Sequence, residues 1–334
     1  MISGGISKWE AEGWEGLLWL DLSHNFLTAL ERFPGNNLAY LNLHSNLLRG
    51  PILSTCFNPQ IPFLQLGSFI ISKNKLTGNI PSSICNLSLL DFLDLSKNSL
   101  SGTIPDCLGN LSFLMLMDLQ VNNFYGKIPS SICNMGSLHV LDLSEDNLSG
   151  TIPDSFVSKK LIYIFLNDNQ LEGLVPPSSA NCTSLEILNL GNKLTDRFPH
   201  WLALLPSLQV LILRSNRFYG SLRHSIASSN FFSLEIIDLS GNEFTGTLPT
   251  RFFGNLRAMK NKPIERPPDL SIMSDDITYY QISVNVTTKK LELELTKIVG
   301  IFVSMDLSKN KFFGQIPKET FHQTSLVARF LLKR

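Results

Sequence analysis

The sequence predicts an α/β-type solenoid, a superhelix of about eleven short repeats whose first strands line up as a parallel β-sheet on a concave side. Three observations predict it. LDLSKNSLSGTIP from Leu93, LDLSEDNLSGTIP from Leu141, IDLSGNEFTGTLP from Ile237 and MDLSKNKFFGQIP from Met305 are copies of one pattern. Its polar slot recurs at Asn25, Asn46, Asn74, Asn98, Asn122, Asp146, Asn169, Asn192, Asn216, Asn242 and Asn310, mostly at steps of 23 to 28 residues. Hydrophobic residues make up 43% of the chain, yet no apolar run approaches the ~20 residues that span a bilayer.

A fixed period of about 20–29 residues with Leu at set offsets is a leucine-rich repeat. The L-x-L unit reads as a short strand with alternate side chains turned inward. One repeat cannot bury its own apolar face, so stacking supplies the core. The slot Asn turns inward, where an amide both donates and accepts and can satisfy the turn that leaves the strand. Asp146 breaks this ladder, because an ionised carboxylate only accepts; a local weakness or a protonated Asp146 is expected there. After the slot, Gly102 permits positive φ, and Thr103-Ile104-Pro105 reads as a second extended segment. SSICNLSLL from Ser82 reads as a short helix or 3₁₀ turn. LNLGNKL, residues 188–194, is one residue short and should distort the ladder beside Asn192; Arg49-Gly50-Pro51-Ile52 departs from G-x-I-P.

Between Asn242 and Asn310 lie 68 residues, far more than one period. The insert opens basic and Pro-rich, KNKPIERPPDL from Lys260, then alternates Leu291, Leu293 and Leu295 with Glu292 and Glu294, a period-2 strand. Lys289 and Lys290 fit the turn of a hairpin. The expected organisation is a remnant of a preceding repeat at 1–16, repeats 1–10 at 17–255, an insertion at 256–297, repeat 11 at 298–317 and an uncapped tail at 318–334.

The L-x-x-L-x-L-x-x-N-x-L-x-G-x-I-P form resembles the plant extracellular leucine-rich repeat, and the insert followed by IFVSMDLSKNKFFGQIP is similar to the island domain of plant receptor-like proteins. The resemblance implies a ligand-recognition ectodomain at the plasma membrane, on its extracellular face. It implies binding of a pathogen-derived or endogenous protein or peptide elicitor. It also implies defence signalling through an adaptor and a coreceptor, both leucine-rich-repeat receptor kinases. Membrane attachment would come only from a helix outside this chain. MISGGISKWEAEGWEG has neither a basic nor an apolar signal region, so the chain reads as part of an ectodomain. The alternatives are a secreted inhibitor of a cell-wall-degrading enzyme, such as a polygalacturonase, and a truncated decoy or nonfunctional copy.

Chemistry is sparse. Charge balances at 28 acidic against 28 basic residues, which gives a nucleic-acid partner no support. Phosphate-loop, zinc-protease, nucleophile-elbow and kinase signatures are absent, so no enzyme, cofactor or metal is expected. His24 and His44 read as solvated polar positions near neighbouring strands. The recurring Asp21, Asp94, Asp118, Asp142, Asp238 and Asp306 read as solvated scaffold. Cys56, Cys85, Cys107, Cys133 and Cys182 read as small buried residues; Cys85 with Cys107 is conceivable but out of phase by two. Asn86, Asn110, Asn147, Asn181 and Asn285 head N-x-S/T sequons, and Asn86, Asn110 and Asn181 share one phase, hence one outer flank.

Recognition is expected on the concave strands, at positions six, four, two and one before each slot. There, departures from the repeat point to Tyr40, Phe92, Tyr163, Phe165, Asp168, Ile212 and Arg214 as ligand contacts. Tyr279, Tyr280, Lys289 and Lys290 are the corresponding candidates in the island.

Overall fold

In the computed structural model the described residues are 1–6, 16–30, 37–54, 65–155, 158–222, 231–260, 284–288, 291–295, 303–317 and 326–329. The chain forms two units, Met1–Leu185 and Glu186–Arg334.

Each L-x-L pattern of the first unit makes a three-residue strand: Trp19–Asp21, Tyr40–Asn42, Ser68–Ile70, Phe92–Asp94, Leu116–Asp118, Val140–Asp142 and Tyr163–Phe165. They pair in parallel and strictly in register, so Ser68, Phe92, Leu116, Val140 and Tyr163 stand in one row. We call this the first sheet. A second parallel sheet holds Arg49–Gly50, Lys75–Gly78, Ser99–Gly102, Asn123–Gly126, Asn147–Thr151 and Gln170–Glu172. This corrects the expected placement at Thr103–Pro105: the strand runs over Ser99–Gly102 and ends at the glycine, where φ is +89°. Pro105 instead stands immediately before the 3₁₀ helix Asp106–Asn110. Equivalent 3₁₀ helices span Ser82–Asn86, Ser130–Asn134 and Pro177–Asn181.

One repeat shows the packing. Leu93, Leu95, Leu100, Ile104, Leu108, Leu111 and Leu114 are all buried, so each repeat contributes a slice of a continuous core. The slot Asn staples these slices. Asn74 Oδ1 accepts the Leu48 N–H of the preceding repeat, and its Nδ2 donates to Leu43 O of that repeat and to Ile71 O and Ser72 O of its own. Asn46, Asn98, Asn122 and Asn169 repeat these contacts. Ile2 N–H meets Asn25 Oδ1 in the same way, and Ser3–Ile6 pairs with Phe26–Leu30.

The second unit uses the same grammar in Ile187–Asn189, Val210–Ile212, Ile236–Asp238, Val303–Asp306 and Leu326–Arg329. Two residues after the slots Asn216, Asn242 and Asn310, stacked rings stand in place of leucine: Phe244 lies parallel to Phe218 at 6.1 Å and near-parallel to Phe312 at 6.3 Å. The short repeat at 188–194 is distorted as expected. Every other described repeat has a left-handed residue just before its slot, whereas neither Asn192 nor its predecessor Gly191 takes positive φ. Asn216 Oδ1 there accepts N–H groups from both Asn192 and Leu194. In the insert, Leu291–Leu295 forms the expected strand and pairs antiparallel with Val284–Thr288, Asn285 facing Glu294. Tyr279, Tyr280, Lys289, Lys290 and Cys56 lie outside the described residues.

Candidate functional site

The first sheet of the first unit carries the candidate surface. Six and four residues before the slot, side chains point away from the leucine core, and register turns them into rows. One row reads Tyr40, Ser68, Phe92, Leu116, Val140, Tyr163; the next reads Asn42, Ile70, Asp94, Asp118, Asp142, Phe165. At ~4.8 Å between strands, neighbours in a row cover one another. The expected exposure is therefore corrected at four positions: Tyr40, Phe92, Phe165 and, in the second unit, Ile212 are buried, at 5%, 2%, 4% and 0% exposed. Tyr163 and Arg214 are half-buried and Asp168 is exposed. Trp19, which the sequence reading missed, stacks on Tyr40 at 3.6 Å with its rings 6° from parallel.

The aspartates are also corrected. Asp21 is exposed, but Asp94, Asp118, Asp142, Asp238 and Asp306 are buried. Each uses Oδ1 to accept the backbone N–H two residues on, at Ser96, Gln120, Ser144, Ser240 and Ser308, and so closes the turn that leaves the strand. Ser96 and Ser144 add hydroxyl donors at 2.6 Å. In-register stacking of carboxylates opposes ionisation. Burial, then Asp94 and Asp142, pushes Asp118 well above the usual carboxylate range. Burial takes Asp142 to about 6. Asp146, standing in an Asn slot, is pushed by burial to about 8, and its Oδ2 is buried with no hydrogen-bond partner.

Directly before each slot runs a column of left-handed residues: His24, Ser45, Lys73, Lys97, Val121, Glu145 and Asp168, with φ between 51° and 58°. Its N–H groups extend the sheet ladder: Lys73 donates to Ser96 O, Lys97 to Gln120 O, Val121 to Ser144 O and Glu145 to Asn167 O. The side chains of Lys73, Lys97, Glu145 and Asp168 are exposed and that of Val121 is half-buried. Six residue types share this backbone state, so no residue code in the sequence announced it. His24 and His44 meet edge to face at 5.2 Å. His44 Nδ1 lies 2.8 Å from Ser72 Oγ, and its ring is partly buried rather than solvated. Among the described residues, no group of three His, Cys, Asp or Glu side chains could hold a metal ion.

Asn86, Asn110 and Asn181 are each the exposed last residue of a 3₁₀ helix, and Asn147 is exposed in its strand. The cysteine expectation is corrected on this flank: Cys85 and Cys107 form a disulfide with Cα atoms 5.9 Å apart. Cys85 is the fourth residue of its 3₁₀ helix and Cys107 the second of the next; at about three residues per turn these two positions face different sides of a helix, so one can face forward and the other back. Cys133 and Cys182 are buried free thiols, which burial holds up at about 12 and about 11.

Comparison with known proteins fits this geometry. The Leucine Rich Repeat family model matches residues 65–87, 89–111, 137–158 and 233–255. Receptor-like protein 32 of Arabidopsis thaliana is 36% identical over 95% of this chain, and receptor-like protein 18 of the same plant is 35% identical over 90%. The chain spans about a third of these relatives, 32% and 37% of their lengths. Among solved structures, a TDR receptor superposes with a TM-score of 0.75 at 26% identity, covering 98% of this chain and 49% of that one. The plant peptide hormone receptor RGFR1, solved in complex with RGF2, gives 0.75 at 27% identity, covering 99% and 49%. No helix among the described residues is long and apolar enough to cross a membrane. The chain is thus a leucine-rich-repeat protein whose sequence relatives are plant receptor-like proteins.

Proposed function

We propose that the chain is a ligand-recognition segment of a plant cell-surface receptor-like protein, binding a protein or peptide through the face of its first sheet. The observation that carries this is the column Lys73, Lys97, Val121, Glu145 and Asp168: exposed charge on a backbone that sheet hydrogen bonds hold at its first four members, with half-buried Tyr163 in the same repeat as Asp168. A fixed frame with protruding side chains binds without first ordering itself. Arg214 offers a comparable half-buried cation in the second unit. The similarity to a receptor solved with a peptide hormone supports a peptide-sized ligand. The wider role, an extracellular position at the plasma membrane and defence signalling through an adaptor and a coreceptor kinase, rests on kinship with receptor-like proteins. The test is selection of ligands from a displayed peptide library on the intact chain. Tyr163→Ala and Asp168→Ala should retain the circular dichroism spectrum and weaken the selected ligands. Ligands indifferent to both would place recognition elsewhere.

A further inference from the structure

The charged column is polarised. Its signs run Lys73, Lys97, then Val121, then Glu145, Asp168, one residue per strand across five adjacent strands of the first unit. At ~4.8 Å per strand the column is about 19 Å long. Neighbouring groups register the field. After burial, Lys73 is the largest contribution holding His44 below its usual value, and Glu145 raises Asp142 while Lys97 lowers it. Four of the five side chains are exposed, and Val121 gives an apolar seat between the two signs. Asn167 Nδ2 fixes Asp168 by donating to its Oδ2 at 2.7 Å.

A ligand of one sign fits poorly. A polyphosphate or an acidic polysaccharide satisfied at the lysines is repelled at Glu145 and Asp168. An extended polypeptide rises ~3.3 Å per residue, so about six residues cover the column, and a peptide can carry both signs in that length. We propose that this margin binds one extended peptide segment of about six residues, laid across the strands. Its acidic end lies over Lys73 and Lys97, an apolar residue sits at Val121, and its basic end lies over Glu145 and Asp168. The assignment rests on the recognition reading above and adds the chemistry of the ligand.

The test selects octapeptides from a random displayed library on the intact chain at low salt, alongside two half-inverted variants. The wild-type chain should enrich peptides with Asp or Glu toward one end and Lys or Arg toward the other. Lys73→Glu with Lys97→Glu makes the margin acidic throughout and should enrich uniformly basic peptides. Glu145→Lys with Asp168→Lys should enrich uniformly acidic ones. A wild-type-selected peptide should lose at least tenfold in affinity for either variant, and about threefold for the milder Lys73→Gln with Lys97→Gln, which guards against an effect of misfolding. Enriched peptides without paired signs, or affinities unchanged within twofold in both half-inverted variants, would overturn this assignment and leave the recognition reading standing. Enrichment of no peptide at all would overturn both.

Discussion

Asp146→Asn should stabilise the protein, and the gain should depend on pH. At the neighbouring slot, Asn122 Nδ2 donates to Leu95 O, Leu119 O and Gln120 O at 3.1, 2.9 and 3.3 Å. Asp146 retains the acceptor half of this arrangement, Oδ1 taking the Phe124 N–H at 2.8 Å, but Oδ2 has no partner. Burial raises its pKa from 3.8 to about 8, so folding takes up a proton between those values. The acid is protonated in both states below pH 4 and imposes no penalty there. The penalty grows as pH rises through 4 to 8 and levels off once the native state ionises. Linkage over the 3.2 pH units to neutrality gives an upper bound of about 4 kcal/mol. The group retains some solvent contact, so about 2–3 kcal/mol is the working figure. An amide removes the penalty and adds about 1 kcal/mol of hydrogen bonding. Urea denaturation of both proteins at pH 4, 6 and 8 measures the difference. It should be about 1 kcal/mol at pH 4 and at least 2 at pH 8. A difference that does not change with pH, or a less stable variant, would refute the argument.

Four further outcomes follow from the same geometry. Val121 is β-branched and left-handed at φ 56°, so Val121→Asn should raise stability by about 1 kcal/mol in urea denaturation. Cys85→Ser opens the bridge to Cys107, which closes a separation of 22 residues, and should cost about 3 kcal/mol, read as a lower melting temperature that reductant no longer changes. Ser155 stands to Cys133 as Cys107 stands to Cys85 and lies near enough to perturb its thiol, so Ser155→Cys should form a second disulfide, visible as a loss of two hydrogens by mass spectrometry without reductant. Phe165→Ala should destabilise by about 3 kcal/mol because the ring is buried, whereas Tyr163→Ala should cost under 2, both measured by urea denaturation.

The repeat was legible because its determinants are local and chemically distinct. Leu93, Leu95, Asn98, Leu100 and Gly102 each do one job that few other residues can do. Asp146 was legible for the same reason, since a carboxylate cannot donate. Three features escaped the sequence because they arise only between repeats. The burial of Phe92, Phe165 and the Asp row comes from neighbours 23 or 24 residues away standing in register. The Cys85–Cys107 bridge joins the fourth residue of one 3₁₀ helix to the second of the next, the same pairing by which a Cβ on Gly109 would collide with Ser131. The left-handed column places Lys, Val and Glu in a backbone state that none of them prefers, held by ladder bonds to the next strand.

The central claim is that the first sheet and its margin form the recognition surface. Zero-length carbodiimide cross-linking of a selected peptide, followed by mass spectrometry, tests it most directly. Cross-links should fall on Lys73, Lys97, Glu145 and Asp168 and be competed by excess unlabelled peptide. Competable cross-links confined to Glu172, exposed in the second sheet, and Lys127, exposed just after the Asn123–Gly126 strand of that sheet, would contradict the account.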